Sequence, residues 1–252
     1  MTNPAPADSW TSLRQWTEAR IAQGRAGTSL PTAPLLEFQL AHARARDAVL
    51  TPCDFGPVVP VADELNLGVL TAHSRARDRS EYLRRPDLGR LLDTSSEVLL
   101  ETAPVDRGSD VVFIVGDGLS SRAVTTQVPP LLATLVPLVR NKGFSVGPLV
   151  LAHQARVALA DEVGSRLGAA LTVILIGERP GLSSPDSLGA YLTWGPRTGL
   201  QNADRNCVSN IRPGGLTYES ASLTLVNLVR GAFLSRLSGV ALKEDTYLEV
   251  GR

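Results

Sequence analysis

The sequence predicts an α/β fold: a doubly wound, mostly parallel sheet preceded by an α-helical N-terminal extension. The first observation is that three apolar runs, Val111–Val115, Ser145–Leu151 and Ala170–Ile176, have the length of strands. The second is that helical patterns separate these runs. Strands that are apolar on both faces and alternate with helices are typical of a parallel sheet covered by helices on both sides.

Residues 1–104 are predicted to form the helical extension, which must pack on the following domain or dock on a partner. Its first eight residues are polar and rich in Pro and Ala, and we expect this tail, residues 1–8, to be disordered. Ser9 can cap the first helix, and Pro34 lies near the start of the second. The predicted helical segments are, in order, Trp10–Gln23, Leu35–Leu50, Val61–Leu70 and Ser80–Arg85.

Residues 105–252 are predicted to form the sheet domain. After the first strand, Gly116-Asp-Gly118 makes a turn, and Ser120 and Ser121 can cap the next helix. That helix is predicted to be interrupted at Pro129-Pro130, because proline removes a helical hydrogen bond, and to resume as far as Arg140. The remaining segments are helices over Val157–Leu167 and Tyr218–Leu237 and a candidate fourth strand over Tyr191–Trp194.

The composition narrows the class of protein. The chain has 252 residues with 25 basic and 25 acidic side chains, and this zero net charge argues against nucleic-acid binding. Cys53 and Cys207 are too far apart in sequence to suggest a disulfide framework, so a reducing cytosol is the default expectation. No run approaches the roughly 20 apolar residues of a membrane-spanning helix, and no membrane partner is expected.

Motifs for metal binding or nucleophilic catalysis are weak. His42, His73 and His153 lie on separate segments without the paired spacing of metal ligands, so no metal site is predicted. The loop Gly116–Ser121 lacks both the third glycine of a dinucleotide fingerprint and the lysine of a P-loop. It is interpreted as a tight turn or, alternatively, as backbone N–H groups at a helix N-terminus that face a polar ligand.

Glu178 is the strongest candidate for ligand contact. It directly follows a buried strand, and an α/β sheet binds ligands at the carboxyl ends of its strands. The alternative is an ion pair with Arg179 or another loop cation. Cys207, in the segment Arg205–Pro213, is interpreted as a buried small residue or a ligand contact. These residues alone indicate an α/β binding domain whose function is unresolved.

Two long motifs carry a resemblance to a known family: Ile176-Gly-Glu-Arg-Pro-Gly-Leu-Ser-Ser-Pro-Asp-Ser-Leu-Gly189 and Asp204-Arg-Asn-Cys-Val-Ser-Asn-Ile-Arg-Pro213. From about residue 18 to about residue 247, the chain resembles the small (light) subunit of ethanolamine ammonia-lyase, an adenosylcobalamin enzyme. Shorter matching segments are Ala19–Gly27, Phe38–Val49, Tyr82–Gly89, Asp110–Ser120, Arg156–Gly164 and Leu237–Lys243.

The resemblance implies a lyase subunit that helps to convert ethanolamine to acetaldehyde and ammonia by radical chemistry. It implies a partner, the large subunit, a TIM barrel that holds ethanolamine and the adenosyl side of the cofactor. The present chain would form a Rossmann-like domain, active only with that partner, and contact the cobalamin through Val157, Glu178 and Cys207. The resemblance assigns no catalytic residue to it, because the cofactor supplies the chemistry.

The histidines also bear on the cofactor. None of them lies in the Asp-x-His-x-x-Gly loop with which many cobalamin domains ligate cobalt, so the cofactor is expected to keep its own benzimidazole as lower ligand.

Two other functions compete with this interpretation: a non-catalytic cobalamin-binding or carrier module, and a stand-alone nucleotide-dependent enzyme. The expected location is a bacterial microcompartment, or the cytoplasm where the host lacks such a shell.

Overall fold

A computed structural model describes residues 8–242, which form an α/β fold around one mixed six-stranded sheet. Apart from Asp8, the predicted disordered tail lies outside these residues. The strands are β1 (Val69–His73), β2 (Val111–Gly116), β3 (Leu149–His153), β4 (Leu171–Gly177), β5 (Leu188–Trp194) and β6 (Arg205–Ile211). The α-helices are α1 (Thr32–Leu50), α2 (Val59–Glu64), α3 (Arg79–Arg84), α4 (Thr94–Thr102), α5 (Ser121–Asn141), α6 (Leu159–Leu167) and α7 (Tyr218–Ser235).

The strand order is β1-β3-β2-β4-β5-β6, and the sheet changes direction at β4. The first four strands are parallel, whereas β5 runs antiparallel to β4 and β6 antiparallel to β5. The α/β class is therefore confirmed, but the prediction of a mostly parallel, Rossmann-like doubly wound sheet is not. The reason is that the segment 178–187 contains no helix, and a parallel return needs a longer crossover, usually through a helix.

The edge strand β1 comes from the N-terminal part of the chain, where the sequence predicted a helix over Val61–Leu70. That prediction is wrong beyond α2, since Asn66 adopts a positive φ of 51° that cannot continue a helix. The apolar residues after it pair in register with β3, from Val69 opposite Leu149 onward. The sheet thus includes residues on both sides of the predicted boundary at residue 104.

Three helix predictions have different outcomes. The helix predicted over Leu35–Leu50 is confirmed as α1. The one predicted over Trp10–Gln23 is wrong: only a 3-10 turn over Thr11–Trp16 forms, none of its residues is buried, and a short helix without packing is marginal. The predicted interruption at Pro129-Pro130 is also wrong, because α5 continues through both prolines with its apolar face fully buried.

The two faces of the sheet are buried under different helices. Val111, Phe113 and Val115 face the core beneath α5 and α7, whereas Val112 and Ile114 face the core with α4 and α6. This alternation follows from the two-residue period of a strand. Among residues 8–242, no helix combines the length and the hydropathy needed to cross a membrane.

Candidate functional site

A cavity of about 240 Å³ lies at the carboxyl ends of β2 and β4, on the α6 side of the sheet. We call it the Glu178 cavity. The loop after β2 and the end of β4 form its floor, and the segment before α6 and two tyrosines form its walls. The side chains that matter below are Tyr82, Arg156, Val157, Glu178 and Tyr191.

Gly118 and Gly177 allow the loop after β2 to pack closely against the end of β4, and this contact forms the floor of the cavity. Leu119 N–H donates to Gly177 O over 2.8 Å, so the loop after β2 crosses the end of β4 backbone against backbone. A Cβ atom on Gly118 would lie 2.2 Å from Gly177 O, and Gly118 also has a positive φ of 57°. Ser120 then caps α5 through Ala123 N–H. The Gly116–Ser121 segment is therefore a tight strand-to-helix turn that also lines the cavity.

Asp117 in this turn holds the segment before α6 in place. Its buried carboxylate accepts hydrogen bonds from the backbone N–H groups of Gln154 (2.8 Å) and Ala155 (2.9 Å). Arg79 Nη1 lies 3.8 Å from Asp117 Oδ2. Burial raises the pKa of Asp117, and these partners oppose the rise. Asp117 does not line the cavity, so its contribution is to position the residues that do.

Glu178 is half-buried at the point where β4 reverses into β5. Its Oε2 accepts hydrogen bonds from the Ser187 hydroxyl and from Asn210 N–H (3.2 Å). Within the described part of the chain, Oε1 accepts none, and Glu178 makes no ion pair with Arg179 or another cation. Gly189 leaves room for the side chain, since a Cβ there would lie 3.0 Å from Oε1. Glu178 thus presents a hydrogen-bond acceptor at the cavity.

Cys207 lies beside the cavity, in strand β6. It pairs in register with Tyr191, which lines the cavity. Cys207 is exposed on one side, so the prediction of a buried small residue is wrong. Desolvation on its protein side raises the pKa of its thiol, Tyr191 lowers it in part, and the charge of Glu178 raises it further.

Val157, at which the sequence predicted the helix to start, is half-buried and lies two residues before the first residue of α6. The preceding Arg156 guanidinium stacks on the Tyr82 ring, with Cζ 4.2 Å from the ring centroid. Arg156 Nε is buried and has no hydrogen-bond partner in the described part of the chain. The structure therefore brings Val157 and Glu178 to one cavity and places Cys207 next to its wall.

Sequence reasoning missed three residues of this cavity: Tyr82, Arg156 and Tyr191. Tyr82 comes from α3, far away in sequence, and no local pattern identifies it. Tyr191 carries a weak signal, because it lies in a predicted strand opposite the Glu178 strand. Among residues 8–242, no group of three or more His, Cys, Asp or Glu side chains has the arrangement of a metal site.

Comparisons with known proteins agree on one family. A family model described as ethanolamine ammonia-lyase light chain (EutC) matches residues 7–243. The ethanolamine ammonia-lyase small subunit of Ralstonia nicotianae is 53% identical, over 96% of this chain and 92% of its own length. The small subunits of Rhodopseudomonas palustris and Azotobacter vinelandii are each 50% identical, over 99% of this chain and over 95% and 93% of their own lengths.

Proposed function

The chain belongs to the ethanolamine ammonia-lyase light-chain family, a lyase subunit that works with a large subunit, and from this premise we propose that it binds and orients adenosylcobalamin. The observation that carries the proposal is that Val157 and Glu178 line one cavity and that Cys207 lies beside it, paired with the lining residue Tyr191. The ligand would lie at the carboxyl ends of β2 and β4, where open α/β sheets bind ligands.

The chemistry of the cavity fits a corrin. The rim of a corrin carries amide side chains, whose N–H groups are donors, and Glu178 Oε1 is an acceptor that has no partner among residues 8–242. Val157 and the ring of Tyr191 offer apolar contact to the macrocycle. When bound, the cofactor supplies the radical chemistry of the deamination. The residues of this chain bind it, orient it and exclude water from one side, and none of them is assigned an acid or base role.

The size of the cavity supports a shared site. Pockets for small ligands usually measure about 300–1,000 Å³, and 240 Å³ encloses a peripheral group rather than a whole macrocycle. Most of the cofactor would therefore lie outside the cavity, between this face and the large subunit. We propose that the large subunit holds ethanolamine and the adenosyl side.

The N-terminal part of the chain offers a surface for that partner. Most of α1 is exposed, and only Ala41 and Ala48 are buried. Its apolar side chains face solvent, including Leu36 (58% exposed) and Leu40 (52%), and Trp16 in the preceding turn is 81% exposed. An exposed apolar surface of this kind usually marks a protein interface. We propose that this surface docks on the large subunit.

Reconstitution tests the function. The chain and the large subunit of a relative are purified separately and mixed with adenosylcobalamin and ethanolamine, and acetaldehyde release is measured. We expect release only from the mixture. Cobalamin binding by this chain without any stimulation of the large subunit would instead support the carrier module. Fractionation of the host would test the predicted location in a microcompartment or the cytoplasm.

A further inference from the structure

Arg79 lies beside the Glu178 cavity without lining it. It is the first residue of α3, and its side chain is only 15% exposed. Asp78 caps this helix by accepting a hydrogen bond from Glu81 N–H over 2.8 Å. Tyr82, about one turn further along α3, is fully buried and lines the cavity. The cap and the buried tyrosine together fix the position from which the Arg79 side chain enters the fold.

The Arg79 guanidinium joins two segments that are far apart in sequence. Its Nε donates to Val49 O over 2.7 Å, and its Nη1 donates to Gly118 O over 2.7 Å. Val49 lies in the last turn of α1, where carbonyl groups lack helical partners and favour a cation. Gly118 belongs to the turn that forms the floor of the cavity. The Ser121 hydroxyl, which donates to Thr51 O, ties the same turn to the end of α1 a second time.

The same guanidinium lies close to two further parts of the site. Its Nη1 is 3.8 Å from Asp117 Oδ2, and Asp117 binds the backbone N–H groups of the segment just before Val157. Its Cζ lies 4.8 Å from the centroid of the Tyr82 ring, within the range of a cation–π contact. Arg79 therefore contacts the floor of the cavity, one of its walls and the carboxylate that anchors another wall.

The chemistry of arginine suits these contacts. A planar guanidinium holds its N–H donors in a fixed geometry, so one side chain can bond carbonyl groups on two different segments. A lysine at residue 79 would keep the positive charge beside Asp117 but would lose this fixed arrangement of donors. A glutamine would lose the charge as well, and its side chain is shorter.

We infer that Arg79 is a positioning residue for the cofactor, which holds the floor and the Tyr82 wall of the Glu178 cavity in the arrangement that receives cobalamin. The inference rests on the proposed function, because cobalamin must occupy this cavity. Binding groups need support from the residues behind them, and a displacement of about 1 Å is enough to weaken their contribution strongly. Arg79 itself makes no contact with the ligand, so turnover of the loaded enzyme should not depend on it.

The test measures binding and turnover separately on the complex with the large subunit. Absorbance titration gives the dissociation constant of adenosylcobalamin, and acetaldehyde release at saturating cofactor gives kcat. We expect Arg79→Gln to weaken binding by about tenfold and to leave kcat unchanged. Arg79→Lys should recover part of this loss, and it keeps the comparison available where Arg79→Gln does not assemble. Arg77→Gln is the matched control, because the Arg77 side chain is 84% exposed and pairs with Glu81 at the surface.

Hydrogen exchange shows whether the effect is one of position. In the complex without cofactor, the backbone amides of residues 116–121 and 154–157 should exchange faster in Arg79→Gln than in the unsubstituted chain. The amides of β6, which Arg79 does not contact, should keep their rates. Arg77→Gln should leave the exchange of all three segments unchanged.

Three outcomes would overturn the inference. The first is an unchanged dissociation constant in Arg79→Gln. The second is a lower kcat together with faster exchange throughout the chain, which would give Arg79 only a general structural contribution. The third is weaker binding without faster exchange in either segment, which would place Arg79 on the ligand itself. In all three, the unsubstituted complex still binds adenosylcobalamin. Failure of that complex to bind it would contradict the proposed function itself, and the inference with it.

Discussion

The carboxylate of Glu178 makes structural hydrogen bonds and also provides the proposed contact with cobalamin. One oxygen ties β4 to the Ser187 hydroxyl and to Asn210 N–H, and the other stays available at the cavity. We expect Glu178→Ala to weaken cobalamin binding by the assembled enzyme by roughly 1–3 kcal/mol, the range for a lost buried hydrogen bond. Absorbance titration measures this. Glu219→Ala, at an exposed position on α7, is the control, and an unchanged affinity for Glu178→Ala would leave Glu178 with only its structural contacts.

The two cysteines provide an internal comparison. Burial, aided by the charge of Asp117, raises the pKa of Cys53 to about 12. Burial also raises the pKa of Cys207, but this cysteine is exposed on one side. Because the thiolate is the reactive form, iodoacetamide at pH 8 should label Cys207 slowly and Cys53 hardly at all. Bound cobalamin should protect Cys207. Peptide mass spectrometry of the complex measures both sites, and equal labelling of Cys207 with and without cobalamin would remove it from the site.

His153 makes the stability of the chain depend on pH. Its ring packs edge-on against Phe55, with centroids 4.8 Å apart, and burial lowers its pKa, while Asp117 opposes this and His73 adds to it. Between the lowered pKa and the ordinary one, the unfolded chain binds more protons than the folded chain. The free energy of unfolding therefore rises with pH in this window. The stability that the neutral His153 ring contributes is lost as the pH falls below the ordinary pKa of histidine.

Urea unfolding at pH 5.5 and 7.5 checks this expectation. His153→Gln should reduce the difference in free energy of unfolding between the two pH values, whereas His42→Gln, at an exposed position on α1, should not. A pH dependence that is the same in both variants and in the unsubstituted chain would assign the effect to other groups.

Among the elements, those with a strong local pattern could be predicted from sequence. The β-branched run at β2 and the apolar run at β4 are buried throughout, which makes them unambiguous. By contrast, β6 was missed because its polar sequence, Arg205–Ile211, shows no apolar alternation of useful length. The position of Glu178 was predictable because it depends on a strand end, whereas Tyr82 reaches the cavity only through tertiary packing.

Among residues 8–242, most of α1 is exposed and only Ala41 and Ala48 of this helix are buried, and this makes its docking testable. Leu36 on α1 and Leu223 on α7 are each 58% exposed. We expect Leu36→Asp to weaken assembly with the large subunit by at least about tenfold, since a buried charge in an interface is costly. Leu223→Asp is the matched control. Analytical ultracentrifugation measures assembly, and equal effects of the two substitutions would contradict docking through α1.

At the scale of the whole molecule, the candidate site lies where the sheet changes from parallel to antiparallel. The turn with Gly118 and the segment with Val157 follow two of the parallel strands and line the cavity. Glu178 and Tyr191 line it because the chain reverses after β4 into the antiparallel strand β5. The open face of β5 and β6 then leaves Cys207 accessible. A fully parallel sheet would place a crossover helix after Glu178, so the mixed topology leaves this side free for the cofactor and the large subunit that we propose there.

The same topology ties the segment 69–104 to the core of the sheet. Tyr82 is fully buried and donates to Ala155 O over 2.9 Å, Leu92 and Leu100 are fully buried, and β1 pairs with β3. Each of these large side chains contributes about 1.5–3 kcal/mol by burial, so their sum is a large share of the 5–15 kcal/mol that stabilises a typical domain. We therefore expect a chain of residues 105–252 not to fold cooperatively.

A chain of residues 31–252 is the matched comparison, because the turn over Thr11–Trp16 that it lacks has no buried residue. It should keep the near-ultraviolet circular dichroism and the urea midpoint of the full chain. The chain of residues 105–252 should lose the near-ultraviolet circular dichroism and bind a hydrophobic dye. Cooperative unfolding of residues 105–252 with an unchanged midpoint would contradict this expectation. It would show that residue 104 is a true domain boundary and that β1 is an accessory strand on an independently stable sheet.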